Sequence, residues 1–544
     1  MESTAWTRAK RYFKMDLSPD ELTPTEEYLI GVIAELAEQI EQLKEEQRRT
    51  KGETTRPKIK PSQLNQPSPD GNRPQDKGQS KGKRKRKRPG SAKRSKTPQL
   101  EIDETIPLHP ENLPPGARLV DYQDVVVQDL IIRSHNIKYR RARYELPDGG
   151  FVIAPLPSHV QGHFGVDLRS YVLYQYFQNH VTQPLIHEEL LERGVDISIG
   201  QINRLLTEGH DEFHQEKDDL LPAGLAVSRY IHTDDTSARH QGRNGYATHI
   251  GNELFASFTS TESKSRVNFL QLLLTPITDY TLNLDALFYM EFYGISESVR
   301  RRLQPAAEAW TVFSDDVTWN QWFDEQALST TQRRIVTEAT LWASLLHDDV
   351  LGDLVIISDD APQFKIMGFL NGLCWVHAER RVNRMIPLNR RQRTAQERVQ
   401  DEIWTFYQDL KSYRQAPRAR RRKPLEREFD RLFTQSTGWR QLDEALGAIH
   451  AKKEYLLLVL KHPEIPLHNN LSENDIREYV KKRKISAGTR SDLGRRCRDT
   501  FLSLKKTCRK LGISFWVYLR DRVGKLHQIP PLSELIRTAA AASS

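Results

Sequence analysis

A run of four aliphatic residues at Leu354–Ile357, three of them β-branched, constrains the fold more than any other stretch of the chain. Such a run is typical of a strand that is buried on both faces. Asp359 and Asp360 follow after one serine, and Pro362 comes shortly after them. Because a buried strand holds its end rigidly, an aspartate at that end is well placed to be a metal ligand.

Acidic residues occupy comparable positions in two other segments. Arg229–Thr233 is predicted to be a strand that ends at Asp234, with Asp235 beside it. Glu473 lies near the start of a predicted helix. Carboxylate oxygens are the ligands that Mg²⁺ prefers, and a pair of divalent metals can cleave or transfer a phosphodiester. Two strand-end aspartates and one helical glutamate therefore predict a carboxylate triad on neighbouring elements of an α/β core, as in a ribonuclease-H-like sheet.

Each of these residues also has an ordinary structural explanation. An aspartate at a strand end is more often a turn or cap residue, and Glu473 alone would complement a helix dipole. Ser314–Asp316 follows a similar apolar stretch, but helix-like sequence continues after it. A strand pattern resumes at Gly372–His377 after the Asp359 segment. Its cysteine and histidine resemble half of a zinc site, but no second pair is evident, which favours a packed strand with a polar helper.

The composition favours a nucleic-acid partner. Lys and Arg outnumber Asp and Glu by 81 to 72 in 544 residues, giving a net charge of +9, and the basic residues are clustered. An anionic membrane or simple solubility would also explain the charge. Three cysteines exclude a disulfide framework. Without a signal peptide or a long apolar run, the expectation is a cytoplasmic protein with no membrane contact.

The N-terminal hundred residues contain two predicted segments. Residues 1–50 are interpreted as a coiled-coil oligomerisation helix, in which Thr23 caps the start and apolar residues recur at steps of four and three. An amphipathic helix packed on its own chain is the alternative. Residues 51–100 are interpreted as a disordered basic linker. Its cationic run is predicted to contact DNA phosphates and consists of Lys83, Arg84, Lys85, Arg86, Lys87 and Arg88.

Two further segments are predicted to recognise DNA. Residues 101–160 are interpreted as a small β unit that lacks zinc cysteines, with strands at Asp124–Gln128 and Asn136–Tyr139 and a turn at Asp148–Gly150. Residues 161–222 are interpreted as a helix-turn-helix region, whose second helix is capped by Ser198. That helix presents three residues able to bond base edges, namely Gln201, Asn203 and Arg204.

The remaining chain alternates between core and insertion. A mixed α/β core is predicted in three parts, each carrying one acidic residue, with a hairpin formed by Tyr246–Ile250 and Leu254–Phe258 in the first part. Helical insertions separate the parts. The boundaries are residues 223–275 for the first core part, 276–349 for an insertion, 350–386 for the second core part, 387–464 for a helical insertion, 465–525 for the third core part and 526–544 for a C-terminal tail.

Several of these motifs, taken in order, resemble the DDE transposases of the insertion sequence 66 family. The resemblance covers roughly residues 165–275 and 350–525. It rests on the motifs Asp234-Asp235-Thr236, Ser358-Asp359, Cys374-Trp375-Val376-His377-Ala378 with Arg380-Arg381, Asn469-Asn470 with Glu473, Arg483-Lys484 and Ala487-Gly488. The N-terminal coiled coil and the helix-turn-helix region are also similar to that family's layout. The family commonly has a cysteine zinc ribbon before its core, which this chain lacks.

The resemblance implies a ribonuclease-H-like core that uses Mg²⁺, with Mn²⁺ as an alternative, and a triad of Asp234, Asp359 and Glu473. It implies binding of terminal inverted repeats, strand cleavage and strand transfer by a homodimer or higher homo-oligomer at the bacterial nucleoid. Double-stranded DNA of the transposon ends and of the target would be the partner. Residues predicted to hold phosphate or a flipped strand are His377, Arg380, Arg381, Arg483 and Lys484. A domesticated non-catalytic DNA-binding protein and a nuclease without strand transfer are the alternatives.

Overall fold

The structure is a computed structural model that describes residues 101–112, 114–157, 160, 162–276, 278–350 and 352–543. The predicted coiled coil at residues 1–50 and the predicted basic linker at residues 51–100 lie outside the described residues. The chain divides into two units, residues 1–127 and 128–544. Among the helices of the described ranges, none is long and apolar enough to cross a membrane.

The predicted strands at Asp124–Gln128 and Asn136–Tyr139 are wrong, because neither segment pairs with another strand. Val125 is 81% exposed, so β-branched composition there is not matched by a partner or a buried face. The β structure of this region is a short hairpin of β1 (Arg143–Glu145) and β2 (Phe151–Ile153). The predicted turn between these strands is present, with Gly149 in the left-handed region at φ +79°.

Helices follow the hairpin. In chain order they are α1 (Val166–Leu173), a π-helix (Tyr174–Gln178), α2 (Gln183–Glu192), α3 (Ile199–Thr207), α4 (Asp211–Asp218) and α5 (Leu220–Val227). The two predicted helices around Gly194 are α2 and α3. Ser198 caps α3 as predicted, since its hydroxyl accepts from the backbone N–H of Gln201 at 3.1 Å. That this helix pair reads DNA stays a prediction.

The next elements form the first part of the core and the segment predicted as an insertion. They are β3 (Tyr230–Ser237), β4 (Tyr246–Gly251), β5 (Ala256–Thr261), α6 (Arg266–Leu274), β6 (Tyr280–Leu282), α7 (Leu284–Phe292), α8 (Glu297–Glu308), β7 (Thr311–Phe313), α9 (Asp316–Asp324) and α10 (Thr330–His347). The predicted hairpin of β4 and β5 is confirmed as an antiparallel pair.

The second half is mostly helical. Its elements are β8 (Val355–Ser358), a 3₁₀ turn (Pro362–Phe364), β9 (Leu370–Leu373), α11 (Trp375–Asn383), α12 (Arg390–Gln415), α13 (Ala419–Phe433), α14 (Arg440–His450), α15 (Lys453–Leu456), a second 3₁₀ turn (Leu458–Leu460), α16 (Asn470–Ser486), α17 (Asp492–Lys510), α18 (Phe515–Val523) and α19 (Leu532–Ser543).

A five-stranded mixed sheet forms the centre of the α/β core, in the order β5-β4-β3-β8-β9. β3 is antiparallel to β4 and parallel to β8, and β8 is parallel to β9. Three residues of the aliphatic run, Val355 to Ile357, lie in β8, whose four residues are all buried. The prediction of a mixed α/β core is therefore confirmed, and the run forms a strand that is buried on both faces, as its composition predicts.

Helix α17 closes one edge of this sheet. The backbone N–H of Phe258 in β5 donates to the Ser503 hydroxyl at 2.8 Å, and that of Ser260 donates to the Asp499 carboxylate at 2.7 Å. Serine and aspartate four residues apart on one helix thus satisfy alternate N–H groups of the edge strand. This arrangement removes donors that would otherwise pair with another strand.

The predicted strand Gly372–His377 is only partly correct. β9 ends at Leu373, Cys374 is the N-cap residue, and a helix begins at Trp375. The Trp375 ring packs against Phe406 of α12 and Phe429 of α13, with centroids 5.6 and 6.0 Å apart. A short apolar run cannot distinguish a strand from the buried start of a helix, and here the helices of the second insertion supply the buried environment.

Candidate active site

The two aspartates predicted as metal ligands lie on adjacent parallel strands. β3 and β8 pair with His232 opposite Ile357. The same register, continued by two residues, brings Asp234 opposite Asp359. Because β8 ends one residue before Asp359, both carboxyl groups lie where the parallel pairing ends.

Strand β3 continues beyond Asp234, so the prediction that it ends there is wrong. Its pairing with β4 extends to Ser237, which lies opposite Tyr246. Only β8, the parallel partner of β3, ends near Asp234. Because side chains alternate along a strand, Asp234 and Asp235 point to opposite faces of the sheet.

These two neighbouring aspartates have different partners. The Asp235 carboxylate accepts hydrogen bonds from the Thr248 hydroxyl at 2.5 Å and from the Gln363 amide at 2.8 Å. The Asp234 carboxylate accepts from the backbone N–H of Asp235 at 2.8 Å. Both oxygen atoms of Asp235 therefore accept a hydrogen bond from another side chain, whereas the Asp234 carboxylate accepts one only from a backbone N–H and is more available to a ligand. This difference favours Asp234 as the metal ligand of the pair.

Glu473 lies on the first turn of α16, and this helix packs against β3. Its Oε1 atom is buried and has no hydrogen-bond partner. The Arg380 guanidinium lies 3.6 Å from this atom, and His377 Nε2 lies 3.8 Å from it. A buried carboxylate oxygen without a hydrogen bond is unusual and suits a site that receives a further ligand.

The charges of Asp359 and Glu473 act on the carboxyl group of Asp234. Burial, and then the charge of Asp359, raise the pKa of Asp234 to about 7, and Glu473 adds to the shift. Clustered carboxyl groups resist ionising together because like charges repel. A divalent cation would relieve that repulsion and favour the ionised form.

His377 and Arg380, which both lie on α11, form a pair beside Glu473 of α16. The Arg380 guanidinium donates to His377 Nε2 at 2.9 Å. Burial, and then the charge of Arg380, lower the pKa of His377. Because a guanidinium can only donate, Nε2 is the acceptor in this contact and the ring proton is on Nδ1, which is buried without a hydrogen-bond partner.

A buried polar network fixes α16 to the sheet. His249 of β4 contacts the Ser472 hydroxyl through Nδ1 at 2.7 Å and the Asp475 carboxylate through Nε2 at 3.1 Å. Lys506 and Lys510 of α17 bind the same carboxylate at 3.0 and 2.9 Å. Burial alone would raise the pKa of Asp475, but these partners outweigh it and hold the pKa well below its usual range. Ser472 and Asp475 flank Glu473, so the network sets its position.

The other predicted DNA-binding residues lie in separate places. Arg483 bonds Ser237 at the end of β3, and Lys484 is exposed. On α3, Arg204 donates to Gln201 at 2.6 Å, and Asn203 accepts from Gln183 of α2 at 3.2 Å. The α3 residues therefore bond one another and α2 rather than the carboxyl cluster. The cationic run Lys83–Arg88 lies outside the described residues.

The carboxyl cluster does not form a ready-made metal cage. Within the described ranges, no group of three or more His, Cys, Asp or Glu side chains is arranged to hold a metal ion. Cys374 is buried, and its sulfur accepts from the Asn469 backbone N–H at 3.1 Å. It therefore has a structural partner.

Sequence reasoning missed two groups of residues around this site. One is the pair formed by His249 and Asp475. The other is a set of cations around Asp360 that includes Lys452, a residue 92 positions further along the chain. No local sequence signal links these residues, because each pairing joins elements that are distant in the chain.

Two comparisons relate this chain to known proteins. The profile described as Transposase IS66 family matches residues 338–496, a span that includes Asp359 and Glu473 but not Asp234. A protein of Sinorhizobium fredii (strain NBRC 101917 / NGR234), described as uncharacterized protein y4jO, is 43% identical over 336 residues. That alignment covers 59% of this chain and 100% of the relative. A transposase binds DNA and cleaves it. The chain belongs to the IS66 family of transposases.

Proposed function

We propose that this chain is a DDE transposase, which cleaves DNA at terminal inverted repeats and joins the released end to a target. Asp234, Asp359 and Glu473 are its catalytic carboxylates. One observation carries the proposal: Asp234 and Asp359 lie opposite each other on adjacent parallel strands, and the helix that bears Glu473 packs beside them. Counted from β3, the sheet has the order 3-2-1-4-5, which supports a ribonuclease-H-like core.

The carboxylates fit Mg²⁺, with Mn²⁺ as an alternative. All three supply hard oxygen donors, and the Oε1 atom of Glu473 is buried without a hydrogen bond. Burial, and then the charge of Asp359, raise the pKa of Asp234, and a bound cation would favour its ionised form. Bound divalent ions would activate the attacking water or 3′-hydroxyl and stabilise the leaving oxygen. The protein's own part is to hold the three carboxylates in place through β3, β8 and α16.

The cationic residues around the carboxylates would bind the DNA strand. Arg380 and Arg381 on α11 and Arg483 and Lys484 on α16 contribute positive charge near the sheet end, and neutral His377 offers its Nδ1–H to a phosphate oxygen. Phosphate contacts of this kind position a strand without reading its bases. Recognition of the transposon ends is assigned to Gln201, Asn203 and Arg204 on α3, where the side chains of Asn203 and Arg204 are exposed.

Residues outside the described ranges complete the proposal. The run from Lys83 to Arg88 would tether any DNA, and residues 1–50 would assemble the protein as a homodimer or higher homo-oligomer. Chromosomal DNA as substrate places the activity at the bacterial nucleoid, in the cytoplasm.

The proposal is tested by incubating the purified chain with Mg²⁺ and a DNA fragment bounded by the inverted repeats that flank its gene. Strand nicking at the repeat ends, followed by joining of the 3′-hydroxyl to a target plasmid, is expected. Binding without nicking would point to a domesticated DNA-binding protein. Nicking without joining would point to a nuclease.

A further inference from the structure

Three cations from three separate parts of the chain converge on Asp360. Lys365 lies 2.5 Å from its Oδ1 atom and follows the 3₁₀ turn after β8. Arg381 of α11 lies 3.4 Å from its Oδ2 atom. Lys452, at the junction of α14 and α15, contacts the same Oδ2 atom. The Asp360 cluster, as we name these four residues, adjoins the candidate active site because Asp360 follows Asp359.

The charges of the Asp360 cluster do not balance. One carboxylate faces three cations, which leaves a net charge of +2. Within the described part of the chain, none of the three cations pairs with a second carboxylate. The cluster is therefore able to accept more negative charge than the protein itself supplies.

The backbone separates Asp360 from its catalytic neighbour. Asp360 adopts a left-handed conformation, with φ +84°, which Asp and Asn tolerate better than most residues. The Asp359 carboxylate accepts from the Ala361 backbone N–H at 3.2 Å, whereas Asp360 reaches the cations. Two consecutive carboxylates thus serve different places, one at the proposed cleavage centre and one at a cationic site beside it.

We propose that Lys365, Arg381 and Lys452 form a binding site for a DNA backbone phosphate next to the cleavage centre, and that the Asp360 carboxylate occupies the place of that phosphate in the DNA-free protein. A phosphate and a carboxylate attract the same donors, so DNA displaces Asp360. The location beside a cleavage centre rests on the proposed function, whereas phosphate binding itself does not. The second insertion thereby gains a role, because it supplies Lys452.

The chemistry of the three donors suits a phosphate. Two lysines supply compact point charges, and an arginine supplies a planar fork of donors that matches phosphate oxygens. The Lys365 ammonium also lies 5.3 Å above the Tyr455 ring, which holds it near the cluster. This contact does not involve Asp360, so it persists when the carboxylate leaves.

The first experiment measures binding of a short random-sequence duplex to the full chain without divalent cation, across about 50 to 200 mM salt. Lys365→Gln and Lys452→Gln are each expected to weaken binding several-fold and to reduce the slope of log affinity against log salt by about 0.9. Lys453→Gln is the matched control, since the neighbouring lysine pairs with Asp430 at 2.7 Å instead. Unchanged slopes for both cluster variants would overturn the proposal.

The second experiment measures duplex binding by Asp360→Asn, which is expected to change in the direction opposite to that of the lysine variants. Asparagine keeps the size of the side chain and tolerates the left-handed backbone, but it no longer competes with phosphate. Duplex binding is expected to become several-fold tighter. Weaker binding by a variant whose thermal unfolding is that of the wild type would show that Asp360 merely organises the cations, and the proposal would fail. If Asp360→Asn does not fold, the two lysine variants decide.

The outcomes separate this inference from the proposed function. A wild-type protein that shows the lysine-dependent salt slope but never nicks DNA would contradict the transposase proposal and leave the phosphate site standing. A protein that nicks DNA, with lysine variants that keep the full salt slope, would leave the transposase proposal standing and refute the phosphate site.

Discussion

Asn469, the residue before α16, joins the helix that carries Glu473 directly to His232 of the central strand. Its Oδ1 atom pairs with His232 Nδ1 at 2.8 Å, and its Nδ2 atom donates to the Thr233 carbonyl at 2.9 Å. Both His232 and Asn469 are buried. Asn469 therefore ties the start of α16 to β3 two residues before Asp234, in addition to the His249–Asp475 network further along the helix.

Replacing Asn469 with Ala is expected to reduce cleavage by a factor of about ten to a hundred while DNA affinity stays unchanged. The variant leaves His232 and the Thr233 carbonyl without partners, at a cost of about 1–3 kcal/mol in the free energy of unfolding. It also frees the start of α16, and small displacements of catalytic groups strongly reduce rates. Single-turnover nicking and duplex binding, measured side by side, test this expectation.

Asn389→Ala is the matched control for that variant. Asn389 caps α12, because its side chain accepts from the Gln392 backbone N–H at 2.9 Å. Losing the cap should lower stability by about 1 kcal/mol without changing the rate of nicking. If both asparagine variants lost cleavage in proportion to stability, Asn469 would have no special positioning role.

Replacing Asp234, Asp359 or Glu473 with Ala is expected to abolish Mg²⁺-dependent cleavage and leave DNA binding nearly intact. Metal ligands act in the chemical step, whereas basic residues supply most of the affinity for DNA. Asp316→Ala is the matched control, because that carboxylate bonds the Tyr280 hydroxyl within the first insertion. Nicking assays with an equal amount of bound DNA would measure the difference.

A triad variant with near-normal cleavage would remove its residue from the active site. Asp235 and Asp360 are the replacements nearest in sequence. The structure makes both weaker candidates, since Thr248 and Gln363 bond Asp235 and three cations surround Asp360.

The sequence predicts the elements of this site better than their surroundings. β8 and the start of α16 follow from local patterns, namely an aliphatic run and a polar, helix-forming segment. The continuation of β3 past Asp234 depends on its pairing with β4, and the helix at Trp375 depends on aromatic side chains from distant helices. The ion pair between Asp360 and Lys452 joins residues 92 positions apart. Contacts of this kind have no local pattern, so the sequence could not predict them.

Neutralising Lys83 through Arg88 is expected to weaken binding to all DNA sequences alike and to flatten its salt dependence. Phosphate contacts release counterions but read no bases. Substituting Gln201, Asn203 and Arg204 with Ala should instead reduce the preference for terminal-repeat DNA over random DNA. Footprinting and competition binding with both mutant sets would measure the two effects.

The opposite result would exchange the roles assigned to residues 83–88 and to α3. If the polybasic mutant lost discrimination while the α3 mutant lost only overall affinity, residues 83–88 would read the sequence and α3 would contact phosphates. Ile202 and Leu206 lie on the buried face of α3 and should not be altered in this test, because their loss would perturb packing.

A double substitution of Leu36 and Ile40 with Lys is expected to lower the oligomeric state. Both residues belong to the apolar seam predicted for the N-terminal coiled coil, and charge in such a seam disfavours association. Light scattering on the full chain measures the mass. An unchanged mass would contradict the coiled coil or show that other interfaces suffice.

Lys482 of α16 is fully buried and contacts the π-helix of the N-terminal helical region. Its ammonium donates to the Tyr176 carbonyl at 2.7 Å and lies 3.1 Å from the centre of the Tyr176 ring. Burial, and then the charges of Arg498 and Lys505, lower the pKa of Lys482 from 10.5 to about 6. The folded protein therefore releases a proton that the unfolded chain keeps up to about pH 10.5.

The free energy of unfolding is expected to rise with pH between about 6 and 10.5 through this group. In that window the unfolded state binds more protons than the folded state, and one proton changes stability by about 1.4 kcal/mol per pH unit. Lys482→Met should lose this slope, whereas Lys481→Met on the exposed side of the same helix should keep it. Urea unfolding at several pH values measures the slopes. Parallel curves for wild type and Lys482→Met would mean that the Tyr176 ring and carbonyl hold the ammonium charged throughout.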